Sequence, residues 1–234
     1  MNLWMQSSKQ TGGRIVENKL DASEFLFKDK ICTREFEFIL SNVTCCYKKM
    51  IVSNKPIPLN NENGIRDILL LDYLKNSDIK KELNLTNYLF DRETSENSST
   101  GRVDIRVMPV NPLVSDDAYY ILECKRLDNH ARRGVSGLNY KYIDNGIQRF
   151  TTGFYFSYYK LNAMVGFVID SLDIHSNVED INYLLKKDFK QIDTTVPLTK
   201  ENFINNFEFH YSSNHLTNVN QDLKLYHLMF SFVE

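Results

Sequence analysis

Apolar positions recur along the chain first at helical spacing and then at the spacing of strands. Phe36, Ile39, Leu40, Val43 and Tyr47 fall on one helical face, which predicts an amphipathic helix covering part of a core. A proline-containing loop, Asn54 to Asn61, ends that unit. Ile65, Ile68, Leu69 and Leu74 again share a face, so a second helix is predicted over about Glu62 to Lys75. Asn60 or Asn61 can cap it, with Glu62 in its first turn. Leu85 to Phe90 reads as a strand, followed by a polar turn from Thr94 to Thr100.

Between Gly101 and Val110, Val103, Ile105 and Val107 alternate with Asp104 and Arg106, the period of a half-buried strand that holds Asp104 opposite the apolar face. The segment Pro109 to Asp117 has two prolines and two aspartates and should reverse the chain before a second strand, Tyr119 to Lys125. The two strands form a hairpin or lie close in one sheet. Ile121, Glu123 and Lys125 share one face of the second strand, and Leu122 and Cys124 the other.

A third helix is predicted from Ile143, Ile147, Phe150 and Phe154, with Lys141, Asn145, Gln148, Thr152 and Tyr155 on a different face. Asn162 to Ile169 is nearly continuous apolar sequence, as suits a central strand buried on both faces. Ser176 followed by Glu179 offers a capping box for a helix carrying Val178, Ile181, Leu184 and Leu185. FEFHY and KLYHLMFSFV, near the end, are aromatic strand-like runs expected at a sheet edge or in an appended hairpin.

The pattern is α/β throughout, and 234 residues suffice for one domain with a sizeable core. The expectation is a single domain over 1–234, its core at about 60–190, with an N-terminal helical extension and a C-terminal β-rich one. A formal net charge of -2 gives the whole chain no basic field, so any nucleic-acid binding must come from a local patch. The start has no signal-peptide pattern and no run approaches the length of a membrane span, so a cytoplasmic protein with no membrane partner is expected. Cys32, Cys45, Cys46 and Cys124 lack CxxC spacing and read as buried reduced thiols, with zinc at Cys45 and Cys46 the weaker alternative.

Two carboxylates on adjacent strands can hold one magnesium ion, whose hard oxygen shell is completed by waters, a backbone carbonyl and a phosphate oxygen. Asp104, Glu123 and the carbonyl of Cys124 fit that task, and manganese can substitute. Lys125, on the face of Glu123, would stand beside the metal-bound water, where an ammonium orients hydroxide or neutralises developing phosphorane charge. GRVDIRV followed by YYILECKRLD resembles the PD-(D/E)xK signature of restriction-endonuclease-like nucleases, with Val103 where the motif's name has proline. The resemblance implies a mixed central sheet flanked by helices and a metal-dependent phosphodiesterase. It also implies an acid on an early helix that assists the metal, matched by Glu62, and a polar residue on the helix after the motif, matched by Gln148. Other acid-x-lysine triplets occur, as at Asp78 to Lys80 and Asp188 to Lys190; Glu123 to Lys125 differs in ending an apolar strand and following an acid-bearing one.

From Lys125 to Arg149 the chain has six cations against Asp128 and Asp144, which supplies the missing patch. Arg126, Arg132, Arg133, Lys141 and Arg149 are its candidate phosphate contacts, of the kind that bind without reading bases. The expected substrate is DNA ahead of RNA, in a restriction or anti-phage defence nuclease working as a homodimer or with a partner subunit. The alternative is a catalytically inactive nuclease-like scaffold that binds nucleic acid or a protein. Plainer roles stand beside each residue: Asp104 and Glu123 as exposed sheet residues paired with Arg106 and Lys125, Glu62 as a first-turn carboxylate, Gln148 and Arg149 on a helix surface, and Tyr155 in the core.

Overall fold

The computed structural model describes residues 28–92, 103–110, 118–155 and 159–233. The turn expected at Thr94 to Thr100 and the loop beyond Val110 up to Asp117 lie outside them. The first helix is α1 (Lys28–Val52). Next comes α2 (Glu62–Asp67), whose cap is Asn61: its side chain accepts from the Gly64 amide, and Glu62 occupies the first turn as expected. α2 continues without a break into a π-helical stretch, Ile68–Leu74, and is followed by the short α3 (Ser77–Glu82).

Strands β1 (Tyr88–Arg92), β2 (Ile105–Pro109) and β3 (Tyr120–Leu127) come next. The helix after them is built in three parts, α4 (Leu138–Tyr142), a π turn at Ile143–Ile147 and α5 (Gln148–Thr151). It stops before Phe154, short of the predicted end. The chain closes with β4 (Leu161–Val168), α6 (Ile174–Lys187), β5 (Thr194–Lys200), β6 (His210–Leu216) and β7 (Asp222–Ser231).

The strands form one seven-stranded mixed sheet in the order β1-β2-β3-β4-β7-β6-β5. β3, β4 and β7 run parallel at its centre, and antiparallel strands lie on both sides. β4 is buried along its whole length, as its continuous apolar sequence requires. Two apolar layers cover the sheet. Leu122, Cys124, Ala163, Val165, Tyr226 and Leu228 face α1 and the α2 helix. Ile121, Leu127, Met164, Leu225 and Met229 face α4, α5 and α6. Among the described residues no helix is long and apolar enough to cross a membrane.

Three expectations need correction. β7 is not peripheral: it pairs with β4 over eight positions and is buried from Leu225 to Phe230, because both faces of that run are apolar and each meets one of the layers. The edge on that side is instead β5, whose Pro197 and polar residues suit a strand with one free side. α6 is capped by Asp173, whose carboxylate accepts from the Ser176 amide at 2.9 Å, rather than by a Ser176 box. An anionic acceptor at the positive end of the helix wins over a hydroxyl farther in. Finally, Val103 packs in the layer opposite to that of Ile105 and Val107, so the alternation breaks at a bend on Asp104.

A polar chain crosses the second layer. Tyr142 Oη meets His227 Nδ1 at 2.8 Å, Ser213 Oγ bridges His227 Nε2 and His215 Nε2 at 2.7 Å each, and Thr194 Oγ1 meets His215 Nδ1 at 3.1 Å. Both imidazoles are fully buried, and burial holds His215 down to about 4 and His227 well below the usual histidine range. A neutral imidazole has one donor and one acceptor, which is what a chain of hydroxyls needs. Because the folded pKa of His215 is depressed, its contribution to stability is complete above its ordinary value of 6.5 and is lost as pH falls towards 4. His215→Gln removes that dependence. The stability of wild type minus that of the variant, from urea unfolding, should shrink by about 3 kcal/mol between pH 7 and pH 4.

Candidate functional site

Glu123 is 1% exposed and lies in the middle of β3, with its side chain on the layer of α4 and α5. The β2–β3 ladder ends at Ile105↔Leu122, and the bend at Asp104 lies just beyond it, beside β3. The carboxylates of Asp104 and Glu123 both reach Lys125. Its ammonium lies 2.7 Å from Glu123 Oε1, 2.7 Å from the carbonyl oxygen of Cys124, 3.4 Å from Glu62 Oε1 and 3.7 Å from Asp104 Oδ2. The four groups that the sequence assigns to a metal thus close around one amine.

Helix α2 delivers two of the partners. Glu62, fixed at the first turn by the Asn61 cap, also accepts the Arg126 amide at 2.8 Å through Oε2 and so ties the helix to β3. One helical turn later Arg66, 2% exposed, donates to Asp104 Oδ1 at 2.8 Å and to Asp67 Oδ1 at 3.1 and 3.0 Å. The second oxygen of Asp104 accepts the amide of Cys124 at 2.8 Å.

The helix after β3 supplies the rest. Arg149 donates to Glu123 Oε1 at 3.3 Å and to the Tyr155 hydroxyl at 2.9 Å; that hydroxyl in turn donates to Glu123 Oε2 at 2.8 Å. Gly146 permits the close approach of this helix, since a Cβ there would stand 2.3 Å from Met164 Cε. The same Cβ position is 3.8 Å from Lys125 Cγ, so the π turn passes directly over the site.

Burial, and then the charge of Asp104, lift the carboxyl of Glu123 to about 7, against the opposing pull of Lys125 and Tyr155. Burial also works against the Lys125 ammonium, but Glu123, Asp104 and Glu62 outweigh it and raise its pKa above the usual lysine value. Burial and the facing Glu123 push the Tyr155 phenol upward, so it acts as a neutral donor. The thiol of Cys124 is raised by burial on the other layer and is out of play.

Gln148 is placed differently: its amide oxygen accepts from Gln191 at 3.1 Å, a bond to the segment after α6 and not to the carboxylates. The π turn explains why Arg149 meets Glu123, because a wider turn shifts the facing position by about one residue from a regular helical reading. Among the expected phosphate contacts, Arg132 and Arg133 both pair with Asp180, Arg126 reaches the carbonyl of Leu59, and Lys141 is exposed. One carboxylate thus offsets one of these four positive charges. Sequence reasoning passed over Arg66, although its position four residues after Glu62 puts both on one helical face. It set Tyr155 on the helix face away from the packed one, with core packing as the plainer role and no particular partner for its hydroxyl; the ring does pack against Phe150.

Among the described residues no group of three or more His, Cys, Asp or Glu side chains is gathered as a ready-made metal site. The carboxylates close on an ammonium rather than on one another. No family model matches the chain, and neither a curated protein nor a solved structure matches it.

Tyr155→Phe leaves one oxygen of a buried carboxylate without its donor, and should lower stability by about 1–3 kcal/mol in urea unfolding. In a double-mutant cycle with Glu123→Gln, a coupling energy of about 1 kcal/mol or more is expected; additivity would break the link between phenol and carboxylate.

Proposed function

We propose that the chain is a magnesium-dependent nuclease that hydrolyses phosphodiester bonds in DNA, built on a restriction-endonuclease-like core of the PD-(D/E)xK type. What carries this proposal is the convergence of Glu62, Asp104, Glu123 and the Cys124 carbonyl on the ammonium of Lys125. The donors are all hard oxygens, with no thiolate or imidazole among them, a set that suits magnesium or manganese and not zinc. That a cation already rests among them supports the fit: the oxygens are aimed at a positive charge.

Glu62, Asp104, Glu123 and the Cys124 carbonyl would hold the ion. When bound, it would polarise a phosphoryl oxygen and lower the pKa of a water. Lys125, displaced from the centre of the oxygens, stays within a side-chain length of the reacting phosphate and can donate to the attacking water or to the charge that builds on phosphorus. Tyr155 and Arg149 hold Glu123 in place from the helix side. Arg133 and Lys141, which keep exposed cationic ends, are the residues left to meet the phosphate backbone of DNA. A cytoplasmic defence role, as a homodimer or with a partner subunit, belongs to the same proposal.

One observation favours a second function, a nuclease-like scaffold that binds nucleic acid without cutting it. Lys125 already satisfies the carboxylates, and no three of them form a ready-made metal site among the described residues. The two functions part in one assay. Plasmid, linear DNA, single-stranded DNA and RNA are incubated with the purified protein in magnesium, manganese or EDTA. A nuclease cuts with metal and not in EDTA, and Lys125→Met slows cutting by about a hundredfold or more. The same variant should bind Mn2+ at least about tenfold more tightly, since a competing charge has left the site. Wild type and Lys125→Met that leave every substrate intact would assign the scaffold instead.

A further inference from the structure

Asp104 is a partly buried member of the proposed site, yet it lies just outside β2, whose pairing does not hold it. The ladder between β2 and β3 begins at Ile105, and the chain bends at Asp104, where Val103 and Ile105 enter opposite layers. Strand pairing therefore fixes Glu123 but leaves the direction of the Asp104 carboxylate to its own hydrogen bonds. Those described are two, one per oxygen: the Cys124 amide at 2.8 Å and Arg66 at 2.8 Å.

We infer that Arg66 is the positioning residue of the site, a buried guanidinium that aims Asp104 at the metal position while its other edge is locked to Asp67. This rests on the proposed nuclease function. Asp67 takes Nε and one terminal nitrogen of Arg66, and its remaining oxygen accepts from Arg92 at 3.0 Å. The guanidinium is thereby set in orientation before it reaches Asp104. Burial works against its charge, but Asp104 and Asp67 outweigh this and hold it in the charged form. Since Glu62 lies one turn earlier on the same helix, α2 places one carboxylate directly and the other through Arg66. A rotation of α2 would move both together.

A planar fork with two occupied edges differs from a point charge, and that difference is the test. Arg66→Lys keeps the positive charge and loses the fork; Arg66→Gln loses the charge as well. Mn2+ binding is measured directly by calorimetry, and cleavage kinetics are recorded on the same preparations at a temperature where each is folded. Arg66→Lys should weaken Mn2+ binding and lower kcat, each by about 10- to 100-fold, with KM for DNA nearly unchanged, as expected when a group behind a metal ligand is removed. If Arg66→Gln does not fold, Arg66→Lys alone carries the comparison. Arg66→Lys equal to wild type in both measurements overturns the inference. So does an Arg66→Lys of unchanged affinity beside an Arg66→Gln that binds more tightly, because Arg66 is then only a counter-charge to Asp104. A wild type that neither binds Mn2+ nor cuts overturns the nuclease function and this inference with it. A wild type that does both confines any failure to Arg66.

Discussion

Lys125 and Glu123 form an ion pair in the interior of the protein, 2.7 Å apart, with Glu123 1% exposed and the lysine side chain 11% exposed. Removing each ion from water costs several kcal/mol, and one partner alone does not offset that for the other. The remaining polar groups of the site are arranged around this deficit. Glu123 gains Tyr155 and Arg149, Lys125 gains Glu62, Asp104 and a backbone carbonyl, and Asp104 gains Arg66. The carboxyl of Glu123 is nonetheless lifted to about 7, so burial still outweighs its partners. With Asp67 and Arg92, which Arg66 joins to them, four carboxylates and four cations are connected among the described residues. A divalent ion entering such a group adds charge that must be accommodated, and Lys125 is the member that touches Glu62, Asp104, Glu123 and the Cys124 carbonyl alike.

The strand part of this was legible because the period of a strand is strict. Ile121, Glu123 and Lys125 must share a face whatever else the fold does, and Leu122 and Cys124 must enter the opposite layer. The Asn cap made Glu62 legible as a first-turn residue, whereas its place in the site came only from the resemblance. β7 was misplaced because an aromatic run of ten residues reads alike at an edge and at a centre; what decides is which strand finds two apolar layers, a property of the whole sheet. Arg66 was passed over for a related reason. An arginine in a helix surrounded by apolar residues looks like a surface charge until Asp104, 38 positions later, is brought opposite to it.

Two π stretches flank the helical segments that build the site, one after α2 and one before α5. A π turn loosens hydrogen-bond geometry, so it persists only where side-chain positions are fixed by stronger constraints on either side. In the first case Glu62 and Arg66 are held by β3 and Asp104, while Leu69, Leu70, Tyr73 and Leu74 must be buried one or two turns later. A regular helix carries a single stripe at 3.6 residues per turn; the wider turn lets the polar anchor and the apolar stripe follow different phases. In the second case Ile143, Gly146 and Ile147 press on the sheet before the turn ends, and Arg149 then meets Glu123 where a regular continuation would have offered Gln148. Both irregularities thus do the same work, joining a segment placed by electrostatics to one placed by packing. They also explain why helical periodicity, read at constant pitch, finds the elements of this site and puts Gln148 where Arg149 meets Glu123.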